Sequence, residues 1–239
     1  MNIQSSWKKR NEDLLYRGKI SYLSPYKIEN QSILDALIKA KKYACGNILD
    51  MGCGNKPYAL IFREENYIGI DLPLSESANK EEKKADVHGS VLELPFKSNS
   101  FDTVISLQVL EHVPEPKEML KEAHRVLKRD GHLILTAPMT WGLHEIPHDY
   151  YRYTRYGLKY LAESLEFEIV YIEERCGFWG MIGQRLSSWS YHWRGTPASI
   201  FGEMIKRSSC AVIQAFFLSL DRLDRQEGDT LGYIMVVKK

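Results

Sequence analysis

The chain has 239 residues, 44% hydrophobic and 26% charged, with a formal net charge of +1. That size and apolar content suit one globular α/β domain with a full core and an appended subdomain, and the near-neutral charge excludes a general attraction to nucleic acid or to an anionic membrane. The four cysteines, Cys45, Cys53, Cys176 and Cys210, lack C-x-x-C spacing and read as reduced core thiols of a cytosolic protein rather than disulfides or zinc ligands. The start of the chain, through Trp7-Lys8-Lys9-Arg10, has no apolar signal-peptide core, and no stretch approaches the ~20 apolar residues that span a bilayer, so a cytoplasmic location is expected.

Residues 1–28 are polar and aromatic without a period and are expected to form an arm over the domain. Ile33, Leu34, Leu37, Ile38 and Lys41 follow helical spacing, closing at Gly46. In Ile48-Leu49-Asp50-Met51-Gly52-Cys53-Gly54 an apolar run ends in a carboxylate and a Gly-x-Gly turn. A second run, Tyr67-Ile68-Gly69-Ile70-Asp71, ends in another acid. The pattern predicts strand, glycine turn, short helix over 57–64 and strand, with an acid at each carboxyl tip. Such tips are where open α/β sheets bind ligands. Asp86-Val87 predicts a short strand and 101–107 a buried one. Pro116 opens a helix with Met119, Leu120, Ala123, Val126 and Leu127 on one face, expected to end at Gly131. A fifth strand over 132–137 stops at Pro138. A helix over 154–166 and a strand over 168–175 continue an alternation that implies a parallel sheet. After Cys176 the rhythm changes. Phe178, Trp179, Trp189, Tyr191 and Trp193 fall among glycines and serines. A helix over 198–223 follows, with Phe201, Met204, Ile205, Val212, Phe216 and Leu220 near one face, and then a strand over 231–237. The expected organisation is an arm over 1–28, a ligand-binding domain over 29–176, a helical insertion over 177–230 and a final strand of the same sheet over 231–239.

A dinucleotide site lays a pyrophosphate over the glycine turn, at the positive end of the next helix. Here Asp50 stands two residues before the first glycine, and Pro57 replaces the third glycine of G-x-G-x-x-G. A carboxylate beside the turn repels phosphate but attracts an ammonium, directly or through water. S-adenosylmethionine has that ammonium and a ribose but no phosphate, so the charge pattern favours it over NAD. Asp71, 19 residues beyond Gly52, stands near the distance at which such folds hold a ribose hydroxyl pair.

Three further stretches follow in order: Leu94-Pro95-Phe96-Lys97-Ser98-Asn99-Ser100-Phe101-Asp102-Thr103-Val104, Val109-Leu110-Glu111-His112-Val113, and Arg125-Val126-Leu127-Lys128-Arg129-Asp130-Gly131-His132-Leu133. Over roughly residues 44–140 the chain resembles the class I S-adenosylmethionine-dependent methyltransferases, and more narrowly their type-11 branch. Arg129-Asp130 depart from the family's usual Pro-Gly. Ser90 replaces an aspartate that would contact the adenine amine, though its hydroxyl can accept the same bond. The resemblance implies a Rossmann-like, doubly wound, mostly parallel seven-stranded sheet with an antiparallel last strand, here with a helical insertion near the C-terminus. It also implies S-adenosyl-L-methionine as cofactor, held by Asp50, Gly52, Gly54, Asp71, Leu72, Ser90, Val91 and Gln108.

By the same resemblance the substrate faces the strand tips near Gly52, Gln108 and the segment after Ala137. His148 or His144 suits a general base, since histidine titrates near neutral pH, with Asp149 to orient one. In the alternative, His148-Asp149 caps the next helix and the tyrosines pack a lid. Trp141, Tyr150, Tyr151 and Arg152 are the expected substrate contacts, Arg152 pairing with an anionic substrate group or an internal carboxylate. His112 is read as shaping the loop after the fourth strand. His144-Glu145-Ile146-Pro147-His148 spells H-E-x-x-H, which needs a helix to align its histidines; Pro147 interrupts one, so no metal is expected. The leading reading is in-line methyl transfer to a small molecule or glycan, with O-methylation favoured. The stretch 148–154 resembles a bacterial subgroup associated with surface-sugar methylation. The alternatives are a quinone-type C-methyltransferase and a non-catalytic S-adenosylmethionine-binding module. Nucleic acid is not an expected partner. The 198–223 helix, with Lys206 and Arg207, is read as core, homodimer interface or peripheral membrane contact.

Overall fold

A computed structural model describes residues 20–62, 66–73, 84–193, 195 and 199–239. Its elements in chain order are α1 (Lys27–Ala40), β1 (Asn47–Met51), β2 (Asn66–Asp71), β3 (Val87–His88), β4 (Phe101–Leu107), α2 (Pro116–Val126), β5 (Leu127–Pro138), α3 (Arg155–Glu163), β6 (Glu168–Glu174), α4 (Phe178–Tyr191), α5 (Ile200–Leu223) and β7 (Gly232–Lys238). The chain divides into two compact units, one of 37–173 with 232–239, the other of 1–36 with 174–231.

The first unit carries the sheet, whose strand order is β3-β2-β1-β4-β5-β7-β6. β1 pairs parallel with β2 and β4, β2 with β3, and β4 with β5. β7 runs antiparallel to β5, from His132 opposite Lys238 to Pro138 opposite Gly232. This is the expected Rossmann-like, doubly wound arrangement with a reversed last strand. Leu49, Met51, Ile70, Val104, Leu133, Leu135, Met235 and Val237 are all buried in one cluster. Strands apolar at successive positions are the mark of a sheet covered on both faces.

Two elements differ from expectation. α2 stops at Val126 rather than at Gly131, because Leu127 turns extended and opens β5 opposite Phe101. The short helix after the glycine turn shrinks to a 3₁₀ turn over Ala59–Phe62. The aromatic stretch after Cys176 forms α4, a helix within the expected helical insertion. α3 starts at Arg155, capped by Thr154, whose hydroxyl accepts the Gly157 amide at 3.1 Å; the His148-Asp149 pair does not cap it.

In the second unit α4 and α5 pack closely. A Cβ at Gly183 would lie 2.5 Å from Phe217 Cβ, so only glycine permits this approach. Asp221 of α5 accepts the amides of Gly177 and Gly180 at 3.2 and 2.9 Å and so caps α4. Residues 20–28 of the expected arm belong to this unit: buried Gln184 donates to the Pro25 carbonyl at 2.8 Å, and buried Gln214 to the Ser24 carbonyl at 2.9 Å. The rest of the arm, 1–19, lies outside the described residues. α5 is inverted in polarity, burying Arg207, Gln214 and Asp221 while Phe201, Met204, Val212 and Phe216 stand exposed. Among the described residues no helix is long and apolar enough to cross a membrane.

Candidate active site

β1 leaves the sheet at Gly52, where φ is +77° and a Cβ would strike Val109 Cγ2 at 2.4 Å. Both facts require glycine. The Gly52 and Cys53 amides donate to the Ile70 carbonyl at 2.9 and 3.1 Å, which fastens the turn to the tip of β2. The Gly54 amide donates to Asp71 Oδ2 at 2.7 Å, and the Leu72 amide to Asp71 Oδ1 at 2.7 Å. Among the described residues, a Cβ at Gly54 would meet nothing within 4 Å. The Gly89 amide bonds the Asp71 carbonyl at 3.0 Å, which sets Ser90 and half-buried Val91 just beyond β3. Ser90 Oγ accepts the Leu92 amide at 3.1 Å. Gln108, at φ +57°, is tied to Thr136 through its backbone amide (3.1 Å) and Nε2 (3.0 Å). Asp50, Gly52, Gly54, Asp71, Leu72, Ser90, Val91 and Gln108 therefore lie together at or beyond the carboxyl ends of β1 to β4.

Asp50 is 4% exposed, and its Oδ2 accepts the Tyr67 hydroxyl. Burial pushes its carboxyl up to about 7, the Tyr67 bond pulling it down and the charge of Asp71 adding to the rise. Burial, with both acids nearby, also pushes the Cys53 thiol up to about 12, which makes it an inert neighbour. No sequence pattern joins Tyr67 to Asp50. The parallel register does, by setting Ile48 beside Tyr67 and Asp50 beside Gly69. A cavity of about 500 Å³, lined in part by Asn47, Asn66 and Tyr67, opens at the opposite, amino end of these strands and shares no carboxyl-tip residue.

The loop from β5 to α3 contains no helix, so His144 and His148 do not share a helical face. Arg152 grips Asp149 with two bonds, at 2.6 and 2.8 Å, and also donates to the carbonyls of Gly142 at 2.9 Å and Tyr151 at 2.7 Å. The Arg152 guanidinium holds the Asp149 carboxyl well below the usual carboxylate range. Arg152 thus pairs with an internal carboxylate, and the Trp141 carbonyl accepts its Nε at 3.3 Å. The Tyr150 amide donates to the Glu111 carbonyl at 2.9 Å, and the Tyr151 hydroxyl to the Pro114 carbonyl at 3.0 Å, docking the loop on the turn after β4. His148 is exposed, its Nδ1 3.1 Å from the Tyr150 hydroxyl. His144 turns inward instead. Its Nε2 lies 3.9 Å from Oε1 of fully buried Glu111, and its Nδ1 lies 3.4 Å from Asp149 Oδ2. His112 Nε2 approaches the same Glu111 oxygen at 3.8 Å, and burial lowers the His112 pKa below the usual histidine value.

Residues 49–135 match the family model described as a methyltransferase domain, type 11. The chain is 32% identical over 123 residues to demethylmenaquinone methyltransferase of Listeria welshimeri, covering 45% of this chain and 52% of that protein. It is 35% identical over 100 residues to 27-O-demethylrifamycin SV methyltransferase of Amycolatopsis mediterranei, 37% of each chain. The fold is like that of a SAM-dependent methyltransferase from Archaeoglobus fulgidus, with a TM-score of 0.53 at 22% identity over 87% of this chain and 94% of that one. The match spans about half or less of the length of these curated relatives.

Proposed function

We propose, from the match of residues 49–135 to the methyltransferase-domain family model, that this chain transfers the methyl group of S-adenosylmethionine to a small molecule or glycan, with a hydroxyl as the favoured acceptor. The observation that carries the reading is Asp71, a carboxylate at a strand tip, bound to the amide of Gly54, where a Cβ would meet none of the described residues within 4 Å. Those residues fit the cofactor: Asp71 for the ribose hydroxyls, Gly52 and Gly54 for close backbone approach, and Asp50 as counter-charge for the ammonium. Leu72, Ser90 and Val91 flank the adenine side, and Gln108 faces the methyl-donating end. When bound, S-adenosylmethionine supplies a sulfonium methyl already activated for displacement.

What this chain's residues add is alignment, exclusion of water and removal of a proton. Trp141, Tyr150 and Tyr151 lie on the loop that would cover the acceptor, and Arg152 with Asp149 braces that loop. We assign the base to His148, the exposed histidine of the pair, whose ring the Tyr150 hydroxyl orients. C-methylation of a quinone is the second reading, supported by the Listeria relative, whereas the Amycolatopsis relative supports an oxygen acceptor.

The test uses the full chain with ¹³C-methyl S-adenosylmethionine and a panel of hydroxylated aromatics, sugars and a demethylated quinone. Methyl carbon shifts in the product separate O–CH₃ from C–CH₃. Transfer to an oxygen supports the favoured reading, and transfer to ring carbon replaces it with the second. Tight adenosylhomocysteine binding with no transfer to any acceptor class makes the protein a binding module. Absence of binding to both cofactor forms overturns the reading.

A further inference from the structure

Glu111, His112 and His144 converge in a way methyl transfer alone does not require. Glu111 and His112 come from the turn after β4, and His144 from the loop after β5. Their ligating atoms all lie within 4.8 Å of one another. The opposite ring nitrogens set the tautomers. His112 Nδ1 lies 2.6 Å from the His148 carbonyl, and His144 Nδ1 lies 3.1 Å from the Gly142 carbonyl. A carbonyl only accepts, so each Nδ1 carries the proton, and a neutral ring then presents a bare lone pair at Nε2. Two such nitrogens and a buried carboxylate oxygen thus face one another, three acceptors that a cation would draw together. Histidines that bind metals commonly donate their other N–H to a carbonyl in this manner.

We propose that Glu111 Oε1, His112 Nε2 and His144 Nε2 bind one first-row divalent metal ion. A cation among the three atoms would stand roughly 2–2.5 Å from each, the span of ordinary metal–nitrogen and metal–oxygen bonds. Two imidazoles and one carboxylate suit zinc, cobalt, iron or manganese, and suit magnesium and calcium poorly, since those prefer oxygen alone. The side chains of His112 and His144 are 14% and 29% exposed while Glu111 is 0% exposed, so the ion is enclosed below and open towards the loop. Three protein ligands with an open position is the pattern of a catalytic rather than a structural site. Resting on the methyltransferase reading, that position would hold the acceptor oxygen and ease loss of its proton to His148. The ligand set differs from the H-E-x-x-H pair that the sequence disfavours: it keeps His144 and replaces His148 with two residues from the β4 turn.

The experiment is calorimetric titration of the chelator-stripped full chain with ZnCl₂ and CoCl₂, followed for cobalt by its visible absorption. One saturable equivalent is expected, with cobalt bands of a nitrogen- and oxygen-ligated site. His144→Ala should weaken binding at least about tenfold, whereas His148→Ala should leave it unchanged. Glu111 is buried and its replacement risks misfolding, so His112→Ala serves as the second ligand variant, with circular dichroism to verify its fold. S-adenosylmethionine binding, titrated separately on His144→Ala, should persist, which separates failure of the metal site from failure of the cofactor site. Absence of saturable metal binding, or binding that survives both histidine variants, overturns the proposal and leaves the cluster holding protons.

Discussion

At the tip of β2, Asp71 accepts the backbone amides of Gly54 and Leu72 at 2.7 Å each. Ribose hydroxyls would add charge-assisted bonds there, so Asp71→Ala is expected to cost about 2–4 kcal/mol of S-adenosylmethionine affinity. Calorimetry on the purified variant reads this directly, and an unchanged Kd would remove Asp71 from the cofactor site. Asp50 is in the opposite condition, since burial raises its carboxyl to about 7. An unfolded aspartate titrates near about 3.9, so between those values the folded chain keeps a proton the unfolded chain has lost. The stability of the free protein is therefore expected to fall as pH rises through that window. Cofactor binding has the reverse dependence: an ammonium favours ionised Asp50, so affinity should rise with pH up to and beyond 7. Titrations at about pH 6 in buffers of different ionisation enthalpy should report proton release on binding, and Asp50→Asn should abolish it. A proton count that does not change with the variant would show that Asp50 keeps one protonation state on binding and does not answer the ammonium by ionising.

Two elements outside the glycine turn invite direct tests. The loop after β5 is braced by the Asp149–Arg152 pair, so replacing exposed His148 should not unfold it. His148→Gln is expected to lower kcat about 10²–10⁴-fold with the cofactor Kd unchanged. A wild-type rate would make the loop a cover only. α5 is the other element. Phe216 is 58% exposed, so Phe216→Glu should shift stability by no more than about 0.5 kcal/mol. Asp221→Ala should cost about 1–3 kcal/mol, because it strips the buried amides of Gly177 and Gly180 of their acceptor. Thermal unfolding of both variants checks the contrast, and a large loss in Phe216→Glu would mean that its face is packed. Periodicity located the apolar face of α5, but not which way it points. That is decided by Arg207, Gln214 and Asp221 finding polar partners inside, and no spacing rule counts such partners.

Across the whole molecule, legibility follows the distance along the chain over which a feature is written. Asp50, Gly52 and Gly54 sit within five residues, and the tip of β2 follows after one crossover, so that end of the site could be read directly. Tyr67 against Asp50, and His144 against Glu111, depend on register and on a long loop folding back, and neither leaves a local pattern. The sheet order has a consequence of a different kind. β7 lies between β5 and β6 but is the last of the seven strands to be synthesised. Until it emerges, β5 presents an unsatisfied row of backbone groups from His132 to Pro138, and β6 lacks its neighbour in the described sheet. Translation of the intervening residues 139–231 takes about 5–20 s at ribosomal speed, long compared with hydrophobic collapse. During that interval the nascent chain carries an open, apolar sheet edge, the kind of template on which another chain can pair. The ribosome-bound intermediate, not the finished protein, is thus where a holding chaperone would be needed most.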